Sequence, residues 1–216
     1  KRKFKKNIDL KQIFKKRTST QKVMNQFSRM LHIKLELTQI DDYEVFKIVP
    51  DGVPLPPGYK RIPYHLVFDV KFDGRRRARM VAGGHLTELD KELSHSSVTD
   101  TENTRLAVVV AEIIGLDIVA ADVSSAYLQA QTQEKCYTIA GPEFGRLEGQ
   151  ILIIDKAQYG LRGSGQAWHN ALAEVLRIMG FKPTKTDRDL WFRKMDDHYE
   201  YIATIVDDLL VLSKNP

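Results

Sequence analysis

Two adjacent acids, Asp207 and Asp208, divide an apolar stretch near the end of this 216-residue sequence. The stretch runs from Tyr201 to Leu212, and its aliphatic and β-branched residues predict a buried strand on each side of the acids. Two strands separated by two residues predict a β-hairpin. A tight turn favours Asn-Gly or Asp-Gly, so Asp-Asp weakens the turn and places two like charges together. Local rules that are broken at one position are typical of a functional site.

A divalent cation would relieve the repulsion between these acids, because hard cations prefer carboxylate oxygens as ligands. A second apolar segment, residues 116–123, predicts another buried strand, and Asp122 lies near its end. Neighbouring side chains of a strand face opposite ways, so a third carboxylate from an adjacent strand would complete a metal site. Asp122 is the best candidate for that ligand. The structural alternatives are a solvated Asp-Asp turn and a helix cap at Asp122.

The composition restricts the classes of protein to which the chain can belong. Hydrophobic residues make up 43% and charged residues 28%, which is typical of a globular protein with a sizeable core. A single cysteine, Cys136, excludes an internal disulfide and a cysteine-rich zinc site. The most apolar stretch, residues 106–121, is too short and too charged to span a membrane, so we expect no membrane partner. The N-terminus has no apolar core like that of a secretory signal.

Basic residues are concentrated at the start of the chain. Residues 1–22 contain ten Lys and Arg and a single acid, so the net charge of +5 arises in this arm. Such an arm can bind phosphate backbones, and the alternatives are a solvated tail or a nuclear-localisation-like run. The candidate nucleic-acid-binding residues are Lys3, Lys5, Lys6, Lys15, Lys16 and Arg17.

Periodicity and turn residues predict the remaining helices and strands. The expected elements are a helix over 18–40, a hairpin of strands 64–71 and 75–82, a helix over 100–115, a strand over 151–154 and a helix over 165–180. The apolar face expected for the last helix consists of Trp168, Leu172, Val175, Leu176 and Met179. Strands and helices mix without strict alternation, which favours an α+β fold over a doubly wound sheet.

The order of these motifs resembles the reverse transcriptases of Ty1/copia-type retrotransposons, from about Tyr43 to the end of the sequence. The matching residues are Asp73-Gly74, Arg77 to Gly84, Arg105, Asp122 to Leu128, Lys156 to Arg162, Trp168, Gly180-Phe181, Asp187 and Asp207-Asp208. No single motif identifies the family, but their number and order do. Several positions depart from the family pattern, and one of them is Tyr127, which replaces the usual Phe. Ile205 replaces the Tyr that usually precedes Val-Asp-Asp, and Gly163 replaces a Gln.

The resemblance implies an α+β right-hand polymerase with an antiparallel palm sheet and flanking helices, and with the thumb absent from these 216 residues. The implied domains are a basic arm and connecting helix (1–40), fingers (41–97 and 131–163) and palm (98–130 and 164–216). It further implies a fragment of a longer Pol polyprotein, whose remaining domains would be partners of this region.

The resemblance also assigns roles to individual residues. Asp122, Asp207 and Asp208 would be catalytic and, with the backbone carbonyl of Val123, would hold two Mg²⁺ ions about 4 Å apart, or Mn²⁺ in their place. The implied nucleotide-binding residues are Arg77, Arg79, Tyr127, Tyr159 and Gly160. Among these, the two arginines would bind the triphosphate, because a guanidinium pairs bidentately with phosphate oxygens. Tyr127 would exclude a 2′-hydroxyl and so favour deoxynucleotides.

The implied function is RNA-directed DNA polymerase activity, in which a primer on an RNA or DNA template is extended with deoxynucleoside triphosphates. The implied location is intracellular, in a cytoplasmic virus-like particle or in the nucleus. Two alternatives stay open at this point. The chain could be an inactive, truncated remnant that at most binds nucleic acid through its basic arm, or an interaction module in which the globular part is only a scaffold.

Overall fold

The computed structural model describes residues 20–87 and 96–216, which form two compact units. The first unit comprises residues 20–87 and 131–164, and the second comprises 96–130 and 165–216. The basic residues predicted to bind nucleic acid, Lys3 to Arg17, lie outside the described residues. Within the described ranges, no helix combines the length and the apolar character needed to span a bilayer.

Most of the predicted elements are present, with boundaries shifted by one or two residues. The helices are α1 (Thr20–Asp42), α2 (Thr101–Ile114), α3 (Ala126–Gln129) and α4 (Ser164–Ile178). The strands are β1 (Phe46–Ile48), β2 (Lys60–Arg61), β3 (Tyr64–Val70), β4 (Arg76–Ala82), β5 (Asp117–Asp122), β6 (Cys136–Ile139), β7 (Ile151–Ile154), β8 (Lys182–Pro183), β9 (Leu190–Lys194), β10 (Tyr199–Ile205) and β11 (Asp208–Ser213). The mixture of helices and largely antiparallel strands confirms the predicted α+β class.

The first unit combines a four-stranded sheet, in the order β1-β7-β6-β2, with the separate hairpin β3–β4. Its hairpin turn forms as predicted at Asp73-Gly74, where Gly74 has φ +82° and the Asp73 carboxylate accepts a hydrogen bond from the Arg75 N–H (3.0 Å). Burial alternates along β4, so Ala78, Met80 and Ala82 are buried while Arg77, Arg79 and Val81 are half-buried. This alternation places the arginines together on the other face of the hairpin.

Cys136 belongs to the core of the first unit. Its side chain is buried with Ile62, Ala82, Ile154 and Leu161. Burial, together with the nearby Glu134 carboxylate, raises the pKa of the Cys136 thiol to about 12. The thiol is therefore protonated at neutral pH and serves as a packing group, since only the thiolate is a strong nucleophile.

The second unit is a five-stranded antiparallel sheet, in the order β5-β11-β10-β9-β8, with one helix on each face. Ala107 and Ala111 of α2 pack in a cluster with Ala203 of β10. Leu176 of α4 packs in a second cluster with Ile202, the neighbour of Ala203. Successive residues of a strand point to opposite faces, so the two clusters cover opposite sides of the sheet.

Helix α2 begins and ends as the sequence predicts. Asp100 is the N-cap, and its side chain accepts a hydrogen bond from the Glu102 N–H (3.4 Å). Gly115 ends the helix in the left-handed conformation with φ +70°, and its position costs little because glycine has no Cβ. These two caps fix the point at which the chain turns from α2 into β5.

Two predictions about burial are wrong. The segment over 116–123 was expected to be a buried strand, but every residue of β5 is exposed because β5 is an edge strand with a neighbour on one side only. Val175 of α4 and Met179, the residue after the helix, are 52% and 49% exposed, although the sequence pattern places both on the apolar face. Leu172 and Leu176 of the same face pack in a cluster with sheet residues, and Trp168 is buried, so the buried face is narrower than the sequence pattern suggests.

Candidate active site

The turn between β10 and β11 differs from the predicted turn by one residue. Ile205 is paired with Asp208, so the two turn residues are Val206 and Asp207, and Asp208 is the first residue of β11. The prediction that Asp207 and Asp208 together form the turn is therefore wrong. This difference matters for metal binding, because Asp208 is a strand residue and the sheet sets the direction of its side chain.

Strand pairing brings Asp122 to the same end of the sheet as the two later acids. Asp208 of β11 is directly opposite Asp122 of β5, and the Val123 N–H donates a hydrogen bond to the Asp207 carbonyl (2.8 Å). Side chains of directly opposed residues project from the same face with their Cβ atoms roughly 5 Å apart. Asp122 and Asp208 are exposed and Asp207 is half-buried. Asp122 and Asp208, which are 86 positions apart in the sequence, thus become neighbours through backbone pairing.

The donor chemistry of this end of the sheet suits a hard divalent cation. Like charges that oppose each other directly destabilise a sheet, and the carboxylate oxygens are ligands for Mg²⁺ or Mn²⁺. Among the residues that the structure describes, however, no three His, Cys, Asp or Glu side chains converge as a metal-ligand group. Asp122, Asp207 and Asp208 therefore fit a cation in donor type and in backbone position, while their side chains do not converge on one point.

Val206 adopts a conformation that is unusual for a β-branched residue. Its φ is +59°, in the left-handed region, which costs a non-glycine residue roughly 1–2 kcal/mol. The carbonyl of Val206 accepts a hydrogen bond from the Trp168 indole N–H of α4 (2.6 Å). Sequence reasoning assigned Trp168 to the core, which its 5% exposure confirms, but it missed the contact with the turn. The available signal was the indole donor itself, which usually has a partner when it is buried.

Tyr127 follows the β5 strand within the short helix α3. Its side chain is half-buried, and Ser125 before it takes a left-handed conformation with φ +55°. This sharp turn after Val123 is what brings a helical segment so soon after the strand that carries Asp122. The predicted gate residue is therefore five positions beyond Asp122, in the same unit.

The first unit brings together three of the predicted nucleotide-binding residues. The Ala82 N–H at the end of β4 donates to the Tyr159 carbonyl (2.8 Å), and the Arg79 guanidinium lies 5.1 Å from the centre of the Tyr159 ring. That distance is typical of a cation–π interaction. Arg77 is on the same face of β4, two residues from Arg79. Both arginines are therefore on β4, and the end of β4 is hydrogen-bonded to the Tyr159-Gly160 segment.

Acidic groups near the two arginines limit how strongly positive this face is. An Asp69 carboxylate oxygen lies 3.8 Å from Nη1 of Arg79. Burial raises the pKa of Glu36 on α1, while the Met80 N–H and the charges of Arg77 and Arg79 oppose that change. Both acids compete with an anionic ligand for the guanidinium groups, so a phosphate would have to displace the weak ion pair with Asp69.

Gly160 occupies a position that no other residue can take without displacement of the backbone. Its φ is +93°, and an added Cβ would overlap the carbonyl oxygen of Ala82. From the other side, a Cβ on Gly84 would overlap the carbonyl oxygen of Gly160. The two glycines let the segment after β4 pass against the Tyr159-Gly160 segment at backbone contact distance.

Glu134 is a supporting residue that sequence reasoning missed. Its buried carboxylate accepts hydrogen bonds from the Gly163 N–H (2.8 Å) and from the Thr87 hydroxyl (2.5 Å). It therefore joins the segment after Gly160 to the segment after β4. Nothing in the local sequence around Glu134 indicates this contact, because its partners are 29 and 47 positions away.

A family model described as reverse transcriptase (RNA-dependent DNA polymerase) matches residues 43–216, which is most of the chain. The chain belongs to the reverse transcriptase family. The match begins at Tyr43, the residue at which the predicted resemblance begins, so it covers the second unit and the part of the first unit that follows α1.

Relatives of this reverse transcriptase region include three transposon polyproteins. It is 29% identical over 176 residues to the retrovirus-related Pol polyprotein from transposon RE1 of Arabidopsis thaliana, covering 77% of this chain and 12% of that protein. It is 28% identical over 154 residues to a Ty1-MR1 Gag-Pol polyprotein of Saccharomyces cerevisiae, covering 69% and 8%. For the Pol polyprotein from transposon TNT 1-94 of Nicotiana tabacum, the identity is 24% over 174 residues, covering 76% and 13%.

These matches confirm the predicted Ty1/copia-type reverse transcriptase region. The chain spans only 8 to 13% of the length of these three relatives. The family model identifies the region as a whole and assigns no role to a single residue.

Replacement of Gly160 by alanine should destabilise the reverse transcriptase region more than the same change at Gly149. Both glycines have a similar positive φ (+93° and +84°), but a Cβ at Gly149 meets nothing within 4 Å. We expect about 1–2 kcal/mol for Gly149→Ala from backbone strain, and about 1–3 kcal/mol more for Gly160→Ala from overlap with Ala82. Urea denaturation measures both values, and equal losses would refute the close approach.

Glycine should be tolerated at Val206 and harmful at Ile205, although both side chains are similarly exposed (38% and 41%). Ile205 is an extended strand residue, so Ile205→Gly should lower the free energy of unfolding by about 1 kcal/mol. Val206→Gly removes the left-handed strain, so its unfolding free energy should change by less than about 0.5 kcal/mol or increase. A Val206→Gly loss as large as that of Ile205→Gly would show that the turn is not strained.

Proposed function

We propose that this region is the polymerase part of a Ty1/copia-type Pol polyprotein and that it extends a primer with deoxynucleotides along an RNA or DNA template. The observation that carries the proposal is the pairing of Asp122 with Asp208, beside the Asp207 turn. In the reaction, the primer 3′-oxygen forms a bond to the α-phosphorus of the incoming nucleotide. The bond from that phosphorus to the bridging oxygen breaks, and pyrophosphate leaves.

The proposed ligands for two divalent cations are Asp122, Asp207, Asp208 and the carbonyl oxygen of Val123. When bound, Mg²⁺ or Mn²⁺ ions supply charge neutralisation at the phosphates and lower the pKa of the attacking hydroxyl. The part played by the chain is to hold its carboxylates on a rigid strand pair, where their charges attract the cations and orient them. The exposure of Asp122 and Asp208 supports this role, because the ligands must be reachable from solvent.

In the first unit, the proposal assigns triphosphate binding to Arg77 and Arg79. Their shared face of β4 supports this assignment, as does the contact of Arg79 with the Tyr159 ring, which holds the guanidinium in one orientation. Tyr159 and Gly160 are proposed to contact the nucleotide or the template through their backbone segment. Arginine suits phosphate recognition because its planar fork offers paired N–H donors.

The two units support a proposal for domain roles, with the first as fingers and the second as palm. The antiparallel sheet and its two helices in the second unit agree with the palm expected from the resemblance. The remaining Pol domains are proposed partners, since the relatives are Pol or Gag-Pol polyproteins. The proposed location is intracellular, because the reaction consumes deoxynucleoside triphosphates.

An inactive nucleic-acid-binding remnant is the alternative function. Its support is the absence, within the described ranges, of three acidic side chains that converge on one point. Primer extension in the presence of Mg²⁺ or Mn²⁺ distinguishes the two, because a remnant would bind a template-primer without extending it.

Asp122→Asn should abolish Mg²⁺-dependent nucleotide incorporation by the parent polyprotein, and Asp207→Ala should do the same. We expect a loss of about a thousandfold or more, because several kcal/mol of charge stabilisation disappear with a metal ligand. The matched control is Asp117→Asn, at the opposite end of β5 and paired with Ser213. The measurement is the primer-extension rate of each variant on one template. A near-normal rate for Asp122→Asn would refute the assignment of Asp122 as a metal ligand.

Tyr127→Ala should increase the use of ribonucleotides relative to deoxynucleotides. Loss of a ring that excludes the 2′-hydroxyl is worth about 1–3 kcal/mol of discrimination, or roughly 10- to 200-fold. Tyr127→Phe keeps the ring and should retain the selectivity of the unchanged protein. The measurement is the ratio of kcat/KM values for the two nucleotides, and an unaltered ratio for Tyr127→Ala would rule out the gate.

A further inference from the structure

We propose that Trp168 is a positioning residue for the Val206-Asp207 turn, and that its indole N–H fixes the backbone from which the Asp207 side chain reaches a divalent cation. The inference rests on the proposed function, since it presumes a metal site at Asp122, Asp207 and Asp208. It adds a residue that lies on α4, outside the strands that carry the acids.

Both peptide planes around Asp207 are held by hydrogen bonds. The Val206 carbonyl, which shares a rigid plane with the Asp207 N–H, accepts the hydrogen bond from Trp168 (2.6 Å). The Asp207 carbonyl, in the next plane, accepts the hydrogen bond from Val123 (2.8 Å). With both planes held, the backbone φ and ψ of Asp207 have little freedom, so the starting direction of its side chain is set.

The Trp168 hydrogen bond offsets the strain of the turn. The left-handed conformation of Val206 costs free energy, and one hydrogen bond contributes a similar amount. The two terms are of similar size, so the hydrogen bond decides whether the strained turn is the main conformation. Without the indole donor, relaxed turns become comparably populated, and in those turns the Val206-Asp207 peptide plane points elsewhere.

The position of Trp168 is itself held by contacts between α4 and β10. Its neighbour His169 contacts a buried Asp189 carboxylate through Nε2 (2.5 Å). The Asp189 carbonyl in turn accepts a hydrogen bond from the Thr204 N–H (2.9 Å), two residues before the turn. Helix α4 is thus tied to β10 just before the turn and to the turn itself, which fixes the indole relative to the hairpin.

The test compares the Mn²⁺ affinity of the chain with that of two matched variants. Trp168→Phe keeps an aromatic ring and removes the donor, and Trp191→Phe makes the same chemical change at the other buried tryptophan (2% exposed), on β9. We expect Trp168→Phe to weaken Mn²⁺ binding about fivefold to tenfold, as loss of one such hydrogen bond implies. Trp191→Phe should destabilise the fold through lost packing and leave the affinity within about twofold.

A spectroscopic readout keeps the test independent of folding losses. The chain has two tryptophans, so labelling with fluorotryptophan gives two fluorine signals, which the variants assign. Mn²⁺ should broaden the Trp168 signal at lower concentrations than the Trp191 signal. If Trp168→Phe does not fold, a benzothienylalanine at position 168, with sulfur in place of the N–H, removes the donor with the ring shape retained, and the same loss of affinity is expected.

The outcomes separate the inference from the proposed function. Unchanged Mn²⁺ affinity in the variant that lacks the donor would overturn the role of Trp168 and leave the metal site standing. Equal losses in Trp168→Phe and Trp191→Phe would also overturn it, since packing alone would then explain both. If the unsubstituted chain binds no Mn²⁺, the proposed function fails and the inference fails with it.

Discussion

The register between β5 and β11 is the interaction on which the site depends. It places Asp122 opposite Asp208 and brings the Val123 N–H to the Asp207 carbonyl. A shift of this register by one residue would turn Asp122 to the opposite face of the sheet, because side chains alternate with a period of two. The sheet pairing thus holds together acids that repel each other, and a bound cation would convert that repulsion into attraction.

The two helices keep this register by covering both faces of the sheet. Small residues on α2, Ala107 and Ala111, allow a close approach to Ala203 of β10, and α4 packs against Ile202 on the other face. Strand β10 is therefore held on both sides, while β5 is an exposed edge. In the second unit, β10 is packed on both faces, and the exposed edge strand β5 carries Asp122. Such a division suits a site that must be preorganised and still admit large ligands.

Strain is concentrated where the chain passes close to the proposed chemistry. Val206 is left-handed in the turn beside Asp207, and Ser125 is left-handed between Asp122 and Tyr127. Backbone strain of this kind persists only where surrounding contacts hold it, as Trp168 does for Val206. In the first unit, Gly84 and Gly160 let two backbone segments meet where a Cβ would overlap the facing backbone.

The sequence by itself determined the α+β class, most helix and strand positions, the two hairpins and the family, because these depend on local periodicity, turn chemistry and the order of motifs. It also identified Asp122, Asp207 and Asp208 as acids out of keeping with their apolar surroundings. Only the tertiary structure decided that the turn is Val206-Asp207, since pairing register is set by the whole sheet. It alone showed β5 to be an edge strand, and it alone brought Trp168 and Glu134 to their distant partners. Burial and long-range hydrogen bonds depend on which elements become neighbours, and no local pattern records that choice.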